Sequence, residues 1–247
     1  MSLSSEDIER HRRHILLKEI GGPGVQKLRA ADVSIVGAGA LGGPCAMYLA
    51  AAGVGRIELW DDDRVERSNL QRQIQFTDND VGALKAETLA ARLRATDPSL
   101  RVDVRAERFA SGAAPVGTIL IDASDNFPTR YALNRLAHET RRPMVHGAAA
   151  GWTGQVSVFA SGVQMDAPCY QCWVPETPPD AEACDEVGVV GAVTGMTGAA
   201  MALEAVKLIA GAGRPLIGRV LLLSGLTGEA RTVSLRRDPA CPICRTY

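Results

Sequence analysis

The sequence has almost no net charge: 27 Lys and Arg against 28 Asp and Glu leave −1 over 247 residues. Without a basic excess there is no electrostatic footprint for nucleic acid or an anionic membrane surface, and neither is expected as a partner. The opening M-S-L-S-S-E-D-I-E-R lacks the apolar run of a secretory signal, so a cytoplasmic protein is expected. A membrane span is lacking as well. The longest uncharged apolar stretch, Gly188 to Leu203, is interrupted by glycines and followed at once by Glu204, which suits a buried helix better. No internal repeat and no low-complexity tract is visible. Histidine is scarce, with four in the chain. His11 and His14 fall on a leading helix, His138 on a helix and His146 at a strand end, and each reads as structural. Of what is present, the 46% hydrophobic and 22% charged content is ordinary for a globular chain long enough for one large core.

Along the chain, Ser4 and Ser5 precede an amphipathic run to Ile20 that Gly21, Gly22, Pro23 and Gly24 should end. From Asp32 the pattern becomes short apolar runs alternating with helical stretches: V-S-I-V-G-A-G, then L-G-G-P-C-A-M-Y-L-A-A-A-G, then R-I-E-L-W-D-D-D. A helix near Lys85 to Ala95, strands at R-V-D-V and T-I-L-I-D-A-S, a helix from Thr129 to Thr140 and a strand at P-M-V-H-G-A-A follow. This predicts an α/β fold: a Rossmann-like, doubly wound, mostly parallel sheet covered on both faces. Beyond Gly154 the segments Q-V-S-V-F-A, R-V-L-L-L-S-G and A-R-T-V-S-L-R predict antiparallel strands extending the same sheet, around one long helix from about Gly191 to Ala210. No linker separates a second domain. The expectation is a single unit, 1–247, made of leading helices (1–30), a nucleotide-binding half (31–150) and a second half (151–247). Val174 to Gly188, rich in proline and acidic residues, should be a mobile surface loop.

Gly37, Gly39 and Gly42 form G-x-G-x-x-G between a predicted strand and a predicted helix, where backbone can approach phosphates and the helix N-terminus attracts an anion. Asp61 ends the next strand, about 20 residues on, where an acidic residue can bind ribose hydroxyls. Alone, this fingerprint also fits an NAD(P)- or flavin-dependent oxidoreductase. A cluster that such an enzyme does not need comes next. Asn69, Arg72 and Lys85 can converge near the same helix N-terminus, which suits a triphosphate, because attack at phosphorus builds negative charge that cations must stabilise. Asp125, in D-A-S-D-N at the end of a strand, lies where a magnesium ion could be held. The alternative is that these four are separate surface residues.

Six cysteines in a reducing compartment point to metal or catalysis rather than disulfides. Cys169 with Cys172 and Cys241 with Cys244 form two C-x-x-C pairs, four thiolates that suit a closed, structural tetrahedral zinc site. Two redox dithiols are the alternative, against which neither pair opens a helix after a strand. Cys45 reads as a core filler. Cys184 is a lone thiol in the acidic loop, either a candidate nucleophile or incidental, and its neighbours Glu182, Asp185 and Glu186 should raise its pKa.

Taken in order, G-A-G-A-L-G, D-D-D, S-N-L-Q-R-Q, the isolated Lys85 and S-D-N resemble the ThiF/MoeB/HesA family, bacterial relatives of ubiquitin-activating enzymes. The similarity runs from R-H-R-R-H-I-L-L to C-P-I-C. The resemblance implies ATP-dependent adenylation of the Gly-Gly carboxylate of a ubiquitin-like sulfur-carrier protein of the thiamin or molybdopterin type, with release of pyrophosphate. Carried over by position, it implies Asp61 at the ribose with Asp63 beside it, Asn69, Arg72 and Lys85 at the phosphates and Asp125 on Mg2+. It places Arg13 at the phosphates of the other subunit of a homodimer, makes 151–247 the carrier-binding and zinc half, and puts Cys184 where sulfur-transfer members form an acyl disulfide. The loop departs from the family in Ala38 and Ala40, neither of which removes a required glycine. A carboxylate with a pKa of about 3.5 is already an ionised nucleophile at neutral pH, so the lack of a catalytic-looking histidine fits. A non-catalytic partner of a ubiquitin-like protein would not need the phosphate cluster. No rhodanese-like segment follows Tyr247, so persulfide is expected to come from elsewhere.

Overall fold

The computed structural model describes residues 3–177 and 188–245. The chain opens with α1 (Ser5–Arg10), α2 (Arg12–Ile15) and α3 (Gly21–Arg29). Next come β1 (Asp32–Val36), α4 (Gly42–Ala52), β2 (Arg56–Trp60), α5 (Lys85–Thr96), β3 (Arg101–Arg105), β4 (Ile119–Asp122) and α6 (Phe127–Glu139). The second half holds β5 (Met144–Ala150), β6 (Thr153–Phe159), α7 (Tyr170–Trp173), α8 (Gly191–Ala210), β7 (Arg219–Ser224) and β8 (Glu229–Ser234).

All eight strands form one sheet in the order β3-β2-β1-β4-β5-β6-β7-β8. The first five are parallel and β6, β7 and β8 add antiparallel, as the apolar patterning predicts. The central strands are buried on both faces, and their side chains alternate between two cores. Ile119 and Ile121 of β4 join Leu49, Leu89 and Met201 on the face covered by α4, α5 and α8, whereas Leu120 joins Leu133 and Tyr170 on the face covered by α6 and α7. The chain builds outward from β1 to β3, then crosses back to β4 on the other side of β1. That reversal opens a crevice at the carboxyl ends of β1 and β4, the place where doubly wound sheets bind ligands.

Three local features differ from the sequence reading. The leading helical run stops at Ile15, well before the glycine cluster, and the cluster itself forms the first turn of α3, where Pro23 is tolerated because its missing N–H would be unpaired anyway. Cys169 is the N-cap of the one-turn helix α7, so the first C-x-x-C does open a short helix, although residues 160–168 separate it from β6. Among the described residues, α8 alone is long and apolar enough to cross a membrane. It is half buried: one side packs on α4, β5 and β6, Met196 and Leu203 are exposed, and buried Glu204 accepts the Leu216 N–H at 2.7 Å. The expected acidic loop, with Cys184, lies mostly outside the described residues.

Candidate nucleotide site and thiol cluster

Two glycines of the fingerprint are demanded by the way the loops pack. Gly37 has φ 98°, and a Cβ there would stand 2.6 Å from the carbonyl oxygen of Ala123, just past the end of β4. A Cβ at Gly42 would lie 1.7 Å from the Gly37 oxygen. Gly39 is different: its virtual Cβ meets only the Gln73 amide, at 3.5 Å, so internal packing does not require a glycine there and the position is open for a ligand to approach. α4 begins with no side-chain cap; in its first turn Gly43 and Cys45 donate to the carbonyls of Gly39 and Leu41 and Pro44 has no N–H, so it is the positive dipole end of the helix that favours an anion there.

The acidic run after β2 closes onto this loop. Asp61 accepts the Ala38 N–H at 2.7 Å and the Asp63 N–H at 2.9 Å, while burial pushes its pKa up. Asp63 holds Lys85 twice, through its carbonyl to the Lys85 N–H at 2.9 Å and through Oδ2 to Nζ at 2.7 Å. The Lys85 side chain is only 8% exposed, so this ammonium is directed by Asp63 rather than waving in solvent. Glycine loop, Asp61, Asp63 and Lys85 are thus one connected unit. Asp125 joins from the other side, exposed on the β4–α6 loop that packs against Gly37.

The segment bearing Asn69 and Arg72 is tied to the loop through Gln75, whose Nε2 donates to the carbonyls of Ala38 and Gly39, each at 3.0 Å. Asn69 is buried and accepts the Glu66 N–H at 3.3 Å. The Arg72 guanidinium is turned back onto the Ser68 carbonyl at 3.0 Å and, among the described residues, bonds to no other part of the site. Arg13 is exposed on α2 and, among the described residues, bonds to nothing in this site.

Sequence reasoning assigns no site role to five residues that the structure places beside the site. Gln73 and Gln75 are buried beside the loop, each with an Oε1 that has no partner among the described residues. Asp122 and His146, fully buried, pair at 2.8 Å beneath the Asp125 loop, and Arg130 grips the Ser124 carbonyl at 3.0 Å. Burial opposes the charge on Asp122, but the His146 bond and nearby Arg130 hold its pKa below the ordinary carboxylate value. The Q-R-Q run could have drawn attention to Gln73; the Asp122–His146 pair follows only from strand register.

The four paired cysteines meet in one cluster, their sulfurs all within 4.8 Å of one another. Cys169 and Cys241 are 3.4 Å apart, Cys172 and Cys244 3.4 Å, Cys169 and Cys172 3.9 Å. Four sulfurs about 2.3 Å from a tetrahedral centre would be about 3.8 Å apart, so the cluster has the size of a four-thiolate metal site. Burial pushes the Cys244 thiol pKa up, whereas the hydrogen bond with Cys169 draws that of Cys172 down. Only a cation at the centre lets all four ionise together. Cys45, by contrast, is wholly buried among core residues of α4.

A doubly wound sheet carrying a glycine loop, an acidic strand end and a buried, carboxylate-steered lysine defines a nucleotide-binding protein of the Rossmann-like class. The chain belongs to the ThiF family, which it matches over residues 11–243. It is 41% identical to a sulfur carrier protein adenylyltransferase of Thermus thermophilus, covering 99% of this chain and 93% of that one. It is also 41% identical to the SAMP-activating enzyme E1 of Haloferax volcanii, over 99% of this chain and 91% of the relative. An adenylyltransferase and sulfurtransferase MOCS3 of Drosophila yakuba is 40% identical over 98% of this chain, which spans 54% of that protein. Among solved structures, E. coli MccB with ATP shares the fold at a TM-score of 0.82 and 21% identity, over 98% of this chain and 75% of that one.

Proposed function

We propose that the protein uses ATP to adenylate the C-terminal carboxylate of a ubiquitin-like sulfur-carrier protein ending in Gly-Gly. The observation that carries this reading is the single unit formed by the glycine loop, Asp61, Asp63 and Lys85, in a chain so similar to adenylating enzymes. The relatives give no support to the oxidoreductase alternative.

In this reading the glycine loop and the α4 N-terminus hold the phosphates and Asp61 meets the ribose. The carrier carboxylate attacks the α-phosphorus: an O–P bond forms, the bond to the bridging oxygen breaks, and pyrophosphate leaves with that electron pair. No proton need move, because a terminal carboxyl with a pKa of about 3.5 is already ionised. Lys85, with Arg72 once its guanidinium swings from Ser68, supplies positive charge as negative charge builds on the phosphates. Asn69 adds a neutral donor. The exposed Asp125, a hard oxygen donor, would hold magnesium, whose charge would offset that of the phosphates. The four-cysteine cluster would hold zinc as a structural ion, its four positions filled by thiolates. Arg13, with no bonding partner among the described residues of its own chain's site, would reach the neighbouring site of a homodimer. Cys184 would act only if sulfur transfer follows adenylation on this protein.

The test is ATP–pyrophosphate exchange with a panel of small carriers ending in Gly-Gly. Exchange that requires both Mg2+ and one carrier is expected; exchange without any carrier, or with none of the panel, overturns the reading.

A further inference from the structure

Asp125 is the exposed residue of an otherwise pinned loop. Before it, Ser124 is held at three points: its hydroxyl and N–H donate to Asp122 Oδ1 at 2.6 and 3.2 Å, and its carbonyl accepts Arg130 Nη2 at 3.0 Å. After it, Asn126 caps α6 by accepting the Thr129 N–H at 3.0 Å. Asp122 is the root of this arrangement. It is the last residue of β4, paired in register with His146 of β5, and its Oδ2 receives the His146 Nδ1–H at 2.8 Å. An ionised carboxylate only accepts, so Nδ1 carries the proton.

Both side chains are out of reach of any ligand, at 0% and 2% exposure. The second ring nitrogen, His146 Nε2, is buried without a partner among the described residues, and the ring packs 4.8 Å from that of Tyr170. The imidazole therefore serves Asp122 and nothing in the crevice. A buried carboxylate is costly unless every oxygen is satisfied, and here Oδ2 is satisfied by His146 and Oδ1 by Ser124, the residue next to Asp125.

We propose that Asp122, oriented by His146, is a positioning residue that sets the β4–α6 loop so that Asp125 can meet metal-bound phosphates. This rests on the reading of Asp125 as the magnesium ligand. Outer groups that orient a metal ligand are typically worth about 10–100-fold in metal affinity.

The experiment measures ATP affinity by calorimetry in Mg2+ and in EDTA, and the Mg2+ dependence of pyrophosphate exchange, for His146→Leu, Asp122→Asn, His146→Asn and Asp125→Ala. His146→Leu and Asp122→Asn should each cost about tenfold or more of the gain in ATP affinity that Mg2+ gives, with affinity in EDTA unchanged. In exchange they should raise the half-saturating Mg2+ by a similar factor, while kcat at saturating Mg2+ stays within a few fold. His146→Asn, whose side-chain amide can donate near the place of Nδ1, should restore both. Lower melting temperatures with a wild-type response to Mg2+ in the first two variants would overturn the proposal and leave the pair purely structural, provided Asp125→Ala has lost the Mg2+ gain. His146→Asn as impaired as His146→Leu would overturn it too, since ring packing and not the hydrogen bond would then matter. Asp125→Ala with the full Mg2+ gain would instead remove the underlying assignment, and the proposal with it.

Discussion

Lys85 shows how a residue can be legible in type but not in state. Its position heading a helix near the glycine loop follows from spacing; its 2.7 Å pairing with Asp63 does not, because Asp63 lies on a turn whose path only the folded chain fixes. A cation already aimed costs little reorganisation when charge develops, so Lys85→Ala should lower pyrophosphate exchange by about 10²-fold or more with the melting temperature nearly kept. Arg72→Ala should do the same although its guanidinium rests on Ser68, and near-normal exchange in that variant would remove Arg72 from the site. The pairing of Asp122 with His146, 24 residues away, is invisible to any local pattern for the same reason: it exists through strand register. Gly42 gives the sharpest packing test. Gly42→Ala puts a methyl 1.7 Å from the Gly37 oxygen, so ATP binding should be lost together with stability, read by calorimetry and thermal melting.

At the level of elements, the parallel half was legible because its strands are short, apolar on both faces and separated by helices of ordinary length; β1, α4 and β2 lie where the patterning puts them. The start of α3 and the one turn of α7 were not, since glycine and proline read as breaks and a turn between two cysteines has no periodicity to detect. The docking of α1 has its own pH dependence. Arg29 bonds Asp7 at 2.6 Å and Asp97 at 2.8 Å, and chiefly the Arg29 hydrogen bond lowers the Asp7 pKa from 3.8 to about 2. A depressed carboxylate stabilises the fold above its unfolded value, and that contribution is lost as pH falls from 3.8 toward about 2. Peptic cleavage of the leading helices should therefore rise over that window. Asp7→Asn should show loosened leading helices already at neutral pH with no further step between; identical cleavage of the two proteins would exclude the contact as the anchor.

For the whole molecule, two expectations concern how parts are joined. Elemental analysis should find about one zinc per chain, and Cys172→Ser or Cys241→Ser should markedly lower the melting temperature; a metal-free protein of equal stability would refute the structural site. Subunit pairing is tested by mixing Arg13→Ala with Lys85→Ala under verified exchange. If Arg13 acts across a two-fold interface, half of the dimers are mixed and each has one intact site, so activity returns to about a quarter of wild type; no recovery, or a monomer in solution, ends that assignment. The thiol cluster also sets an order of events. Cys169 and Cys241 are 72 residues apart, with α8, β7 and β8 between them. At synthesis rates of about 5–20 residues per second, each nascent chain spends roughly 4–14 s with its first two thiols made and their mates not yet in existence. The parallel half can collapse in that interval, so a metal held by the cluster would arrive as a late clasp on a fold already begun, and an oxidant that caught Cys169 and Cys172 in those seconds would trap a chain that could not be clasped.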